Sequence, residues 1–118
     1  MKTITLTKTD GLIRNGWWTE WYWVNAKIAK GLAGMVDCED VVIKDTAGNE
    51  YIENKYALSG LAQDSKGRWI AEFSTEVASE DETESETDVR LGCMIEIDVA
   101  MAVGLTEDQI EINWRGQK

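Results

Sequence analysis

Thirteen residues near the C-terminus constrain what this chain can fold into more than any other stretch. From Leu91 to Val103 the odd positions read Leu91, Cys93, Ile95, Ile97, Val99, Met101 and Val103, and the even ones Gly92, Met94, Glu96, Asp98, Ala100 and Ala102. An apolar residue at every second place is the period of a β-strand with one buried face. The spacing predicts a long strand, roughly 43 Å if straight at about 3.3 Å per residue, with a bend near Gly92 to keep it inside a small domain.

The same alternation recurs in Trp69, Ala71, Phe73, Thr75, Val77, in Ile110, Ile112, Trp114, and in Ile4 and Leu6 among the threonines of Lys2–Lys8. Turn chemistry separates such runs. Asn15-Gly16 is the strongest short hairpin signal a sequence can carry. Asp64-Ser65-Lys66-Gly67 sits between Tyr56–Gln63 and Arg68–Thr75, and Asp45–Asn49 between Val41–Lys44 and Glu50–Ile52, so two further hairpins are expected. After Trp17–Val24, Asn25 can cap a short helix with Ile28, Ala29, Leu32 and Ala33 at three-to-four spacing, weakened by Gly31 and ended by Gly34. A competing reading makes Trp17, Trp21, Val24, Ile28 and Leu32 one continuous helical stripe. Together the signals predict a mainly β domain of six to eight strands, closed as a barrel or sandwich, with one short helix near residues 25–34. An α+β sheet with that helix on one face is the alternative. At 118 residues the chain is expected to form a single domain, residues 1–118.

Composition narrows function. Histidine is absent, and with it the side chain that most often serves as general base, proton shuttle and transition-metal ligand. No serine occupies a Gly-x-Ser-x-Gly elbow, and Lys30-Gly31-Leu32-Ala33-Gly34 lacks the Gly-Lys-Ser/Thr ending of a phosphate loop. Glu96 and Asp98, on one face of the predicted strand, read as solvated acids. The expectation is a protein that is not an enzyme, with no cofactor and no metal. Cys38 and Cys93 form no paired motif, and MKTITLTKTDGLIRNG has no apolar stretch of a secretion signal. Both cysteines read as buried thiols in a reducing, cytoplasmic setting. Trp17–Val24 is too short to cross a bilayer, so no membrane partner is expected.

The formal charge of −10 is unevenly spread: residues 1–36 carry five basic and two acidic groups, residues 76–118 three and twelve. Its densest part lies in Ser79–Asp88, where Glu80, Asp81, Glu82, Glu84, Glu86 and Asp88 have no compensating base. In an extended chain the even-numbered acids would project to one side about 6.6–6.8 Å apart, close to every second phosphate of a duplex strand that advances about 3.4 Å per phosphate. The segment is thus a candidate decoy for a protein that grips nucleic acid. The bland alternative is a solvated loop that keeps the protein soluble. Ser79, Thr83 and Ser85 each have an acid three places on, the spacing of an acid-directed kinase site. Calcium binding is disfavoured because the glycine-containing spacing of a calcium loop is missing. Direct contact with nucleic acid is disfavoured by the net charge.

The second conspicuous segment holds Trp17, Trp18, Trp21 and Trp23 among eight residues. On a strand, Trp17, Trp21 and Trp23 face one way and Trp18, Tyr22 and Val24 the other. Both faces carry apolar bulk, so the strand is either sandwiched in the core or offers one face to a partner or a sugar ring.

Small, acidic chains without histidine or catalytic motifs resemble, in composition only, the inhibitors that phages and mobile elements use against nucleic-acid machinery, including DNA-mimic anti-restriction and anti-CRISPR proteins. The functional expectation is a non-enzymatic acidic binding protein of that kind, taking a basic, nucleic-acid-binding protein through Glu80–Asp88, with the Trp17–Trp23 segment as a second contact surface. The alternatives are a homo-oligomeric structural or assembly protein of virion type, and a carbohydrate-binding module.

Overall fold

The computed structural model describes residues 1–36, 41–44, 47–48, 50–53, 56–77 and 83–116. Along the chain run β1 (Lys2–Arg14), β2 (Trp17–Val24), α1 (Ala26–Val36), β3 (Val41–Lys44), β4 (Glu50–Glu53), β5 (Leu58–Gln63), β6 (Trp69–Glu76), α2 (Glu84–Ala102), a single 3-10 turn over Glu107–Gln109, and β7 (Ile110–Gly116).

Most of the local signals produce the elements they encode. Asn15 and Gly16 both take positive φ, 54° and 80°, the conformation of a tight hairpin turn that matches strand twist, and β1 folds back antiparallel on β2. Asp64 closes the β5–β6 turn by accepting from the backbone N–H groups of Lys66 and Arg68 through Oδ1, with Gly67 at positive φ. β3 and β4 pair antiparallel as expected, while part of their Asp45–Asn49 connection lies outside the described residues. Strand-then-helix is the arrangement that forms at residues 17–36. Asn25 Oδ1 accepts from the Ile28 N–H at 2.9 Å and starts α1. The helix runs past Gly34 to Val36. Gly31 is there for packing, since a Cβ at that position would overlap the backbone carbonyl of Ala102 where α1 crosses α2.

Among the described residues the protein is mainly β, with two α-helices. Its principal sheet has five strands in the order β5-β6-β2-β1-β7, antiparallel except for the β1–β7 pair, and β3–β4 forms a separate two-stranded ribbon. The five-stranded sheet is open, with β5 and β7 as its edges, so the expected closure into a barrel does not occur. The arrangement is compatible with the α+β alternative. Ile4 and Leu6 of β1, Tyr22 and Val24 of β2, Ala71 and Phe73 of β6 and Ile110 of β7 meet Ile28 and Leu32 of α1 and Leu91, Ile95 and Val99 of α2 in one hydrophobic core. No helix among the described residues is long and apolar enough to cross a membrane.

The expected strand over Leu91–Val103 does not exist; those residues form most of α2, and the single-helix expectation fails with it. The reason is geometric. A run apolar at i, i+2, i+4 and onward is two interleaved rows at i, i+4 spacing, and on a helix turning about 100° per residue the two rows stand about 200° apart. Leu91, Ile95 and Val99 form the inner row, with no exposed surface. Val89, Cys93, Ile97 and Met101 form the outer row, and three of these are 65%, 43% and 47% exposed (Val89, Ile97, Met101). The helix starts at a side-chain N-cap. Thr83 Oγ1 accepts from the Glu86 N–H at 3.1 Å and donates to Glu86 Oε1 at 3.0 Å. The Thr-x-x-Glu spacing that resembles a kinase site thus has a structural use. Glu84 and Glu86 in the first turn suit the positive end of the helix dipole.

Candidate functional site

Three surfaces carry the chemistry: a polar pocket beneath α2, the open face of the sheet, and the outer face of α2.

The pocket has a volume of about 370 Å³ and lies between the β2–β1–β7 side of the sheet and the N-terminal half of α2. Its floor is Glu20, which shares the core-facing parity of β2 with Trp18, Tyr22 and Val24 and keeps only 1% of its surface exposed. A carboxylate at that depth must be compensated. Lys8 Nζ lies 2.7 Å from Glu20 Oε2, and the Tyr22 hydroxyl donates to Oε1 at 2.9 Å. The wall is Trp114, whose ring meets that of Tyr22 edge-on at 5.6 Å. Asp88 comes down from α2 to bond with Glu20.

The two carboxyl groups are pushed apart. Burial alone would raise Glu20, but hydrogen bonds from Asp88, Lys8 and Tyr22 outweigh it and hold its pKa below the ordinary value. Asp88 keeps an exposed outer edge, yet burial of its inner side, the bond to Glu20 and the Glu20 charge push it up to about 6, with Lys8 opposing. Burial and the neighbouring Glu20 charge raise the Tyr22 hydroxyl well above its usual value, so it stays a donor. Of the two carboxyl groups, Asp88 is therefore the first to take up a proton as pH falls. Both oxygens of Glu20 are already bonded inside the protein, the arrangement of a clamp joining helix to sheet. Arg90 reinforces that clamp by donating to Thr75 Oγ1 and the Glu76 carbonyl, each at 2.6 Å.

Of the acids singled out in the sequence, Glu80, Asp81 and Glu82 lie outside the described residues. Glu84 and Glu86 are exposed on the first turn of α2, and Asp88 is at the pocket rim. On a helix these three do not line up on one side, so the phosphate-matching spacing of an extended segment does not apply to them. Glu96 is half-buried beside the outer row, whereas Asp98, expected in solvent with it, is buried and accepts from the Leu58 N–H at 3.0 Å. Cys93, expected in the core, is exposed in the outer row; Cys38 is outside the described residues. At the C-terminal end of that row a groove of about 270 Å³ opens between Ile97, Met101 and Leu105 on one side and Glu107 and Asp108 on the other.

The four tryptophans divide as strand parity requires. Trp18 packs against the core with its indole N–H buried and without a hydrogen bond of normal length, while Trp17, Trp21 and Trp23 face away from the helices. Two of the latter are pinned. Trp21 Nε1 donates to Glu72 Oε1 at 3.1 Å, and the Arg68 guanidinium lies 4.0 Å over the Trp23 ring, held by Asp64 at 2.7 Å.

Sequence reasoning missed Glu20, though a signal existed: an acid at the one polar position of an otherwise apolar parity set. It missed the outer row of α2 because the same residues were assigned to a strand. Among the described residues no three His, Cys, Asp or Glu side chains come together as a metal site. Comparison with protein-family models, curated proteins and solved structures returns no match.

Proposed function

We propose that this chain is a non-enzymatic binding protein that takes a basic protein partner on the outer face of α2. The observation that supports this reading is a solvent-facing apolar row, Val89, Cys93, Ile97 and Met101, edged by acids. Glu86, one turn before Val89, stands at its start, Glu96 beside its middle, and Glu107 and Asp108 at the groove at its end. A helix apolar on two opposite sides is one built to be covered on both, and monomers seldom leave such a row bare. An amphipathic partner segment with apolar anchors and lysine or arginine flanks complements it in shape and sign. Proteins that hold nucleic acid are rich in such segments, and the acid run continues in sequence through Glu80, Asp81 and Glu82.

Two variants test the reading on the immobilised protein with host lysate at low and high salt. In one, Glu84, Glu86 and Glu96 become Gln, which keeps the bond from the Glu86 N–H to the Thr83 cap; in the other, Ile97 and Met101 become Ser. A basic protein retained at low salt, released at high salt and lost from both variants is the expected result. Retention unchanged in either variant would overturn it. So would light scattering that shows a dimer abolished by the Ile97/Met101 pair, because the row would then serve self-assembly.

A further inference from the structure

The open face of the sheet has a different character from the rest of this acidic molecule. Across β2, β6 and β5 its residues stand in rows: Trp23, Ile70 and Ala62 in one, Trp21, Glu72 and Gly60 in the next. Side-chain volume falls from the central strand to the edge, so the bulk of Trp21 and Ile70 borders bare backbone at Gly60 and Ala62. The result is a trough of about 310 Å³, at the lower end of the range for pockets that hold small ligands. Its polar group is Glu72. One oxygen accepts from Trp21 Nε1, and the other accepts from Ser59 Oγ at 3.0 Å, leaving a fixed carboxylate with free lone pairs over Gly60.

We infer that this trough is a carbohydrate site for one pyranose ring of a neutral oligosaccharide. An indole face carries negative quadrupole charge and attracts the weakly positive C–H face of a sugar. A carboxylate beside it accepts from ring hydroxyls, and a shallow floor of Gly60 and Ala62 admits a flat ring without clash. The surroundings are rich in hydroxyls, with Thr19 and Ser74 continuing the same face on β2 and β6. A polyanion such as nucleic acid is repelled by the −10 charge of the chain. A basic peptide would find far stronger negative potential on α2. This site is independent of the α2 reading, and either can fail alone.

The test titrates the whole protein with cello-, malto-, manno- and chito-oligosaccharides, following tryptophan fluorescence. The expected result is saturable binding of one class with a dissociation constant near or below about 1 mM. Trp21→Ala should weaken it at least tenfold. Gly60→Val, which fills the trough and presses on the Glu72 carboxylate while keeping the Trp21 ring, should weaken it comparably, and Glu72→Gln several-fold, each with an unchanged circular dichroism spectrum. No response from any class would overturn the inference. So would a response that survives both Trp21→Ala and Gly60→Val, or a dimer in light scattering that Trp21→Ala abolishes, because a second copy would then occupy the face.

Discussion

The outer face of α2 and the open face of the sheet are both apolar surfaces turned to solvent, but they are built differently. On α2 the row is Val89, Cys93, Ile97 and Met101, aliphatic or sulfur-containing side chains with acids around them. On the sheet it is Trp17, Trp21 and Trp23, with Trp21 fixed by Glu72 and Trp23 by Arg68. Adaptable side chains within a field of one sign suit a protein segment that docks by charge and slides into register. Rigid aromatic rings suit a small ligand that needs a set geometry. One sheet–helix core holds both and leaves each free to vary.

The largest effect expected from this contrast is within α2 itself. Ile95→Ala, in the inner row with no exposed surface, should cost about 3 kcal/mol or more in urea unfolding, whereas Ile97→Ala, in the outer row, should cost under about 0.5 kcal/mol. Equal costs would mean that the outer row is covered by the fold and unavailable to a partner.

Next in size is the pH dependence of the seam between helices and sheet. Asp98 is 3% exposed and burial pushes it up to about 6, against the pull of the Leu58 and Ala57 N–H groups. Asp88 is also raised to about 6. An acid with a higher pKa in the folded state than its unfolded value of about 3.9 holds its proton more tightly when folded. The folded state therefore gains stability as pH falls from about 7 through 6 toward 4. Glu20 acts in the opposite sense: its pKa is lowered, so its contribution is lost as pH falls through the acid range. Unfolding free energy should peak near pH 5, with Asp98 contributing about 1 kcal/mol of the rise from pH 7. Asp98→Asn should flatten that rise in urea titrations at a series of pH values. A profile that declines steadily from pH 7 would exclude a buried Asp98.

The smallest effect concerns the pinned face. Arg68→Ala should cost about 0.5–1 kcal/mol, and removal of the guanidinium from the Trp23 ring should change the tryptophan emission. An unaltered spectrum would mean that Arg68 does not hold that ring.

Legibility in the sequence followed how local the deciding interaction is. The Asn15-Gly16 turn, the Asp64–Gly67 turn and the Asn25 cap each depend on backbone geometry and hydrogen bonds within a few residues, and each forms as its sequence implies. The parity of Trp17, Trp21 and Trp23 against Trp18, Tyr22 and Val24 follows from strand geometry alone. The strand expected over Leu91–Val103 failed because alternation records only that two rows of apolar residues exist. The Thr83 N-cap, the good helix formers Met94, Ala100, Met101 and Ala102, and the poor strand formers Glu96 and Asp98 all favoured helix. A strand of thirteen residues is also long for a domain of this size.

By itself, then, the sequence determined the turns, the strand parities and the uneven charge, because these rest on covalent geometry and on counting. Only the tertiary structure decided which of two apolar rows on α2 is core and which is surface, since the rows are chemically alike and the choice depends on what packs against them. It decided equally that Glu20 and Asp98 are buried: an acid enters a core only where partners from distant segments meet it, Lys8 and Asp88 for one and the start of β5 for the other.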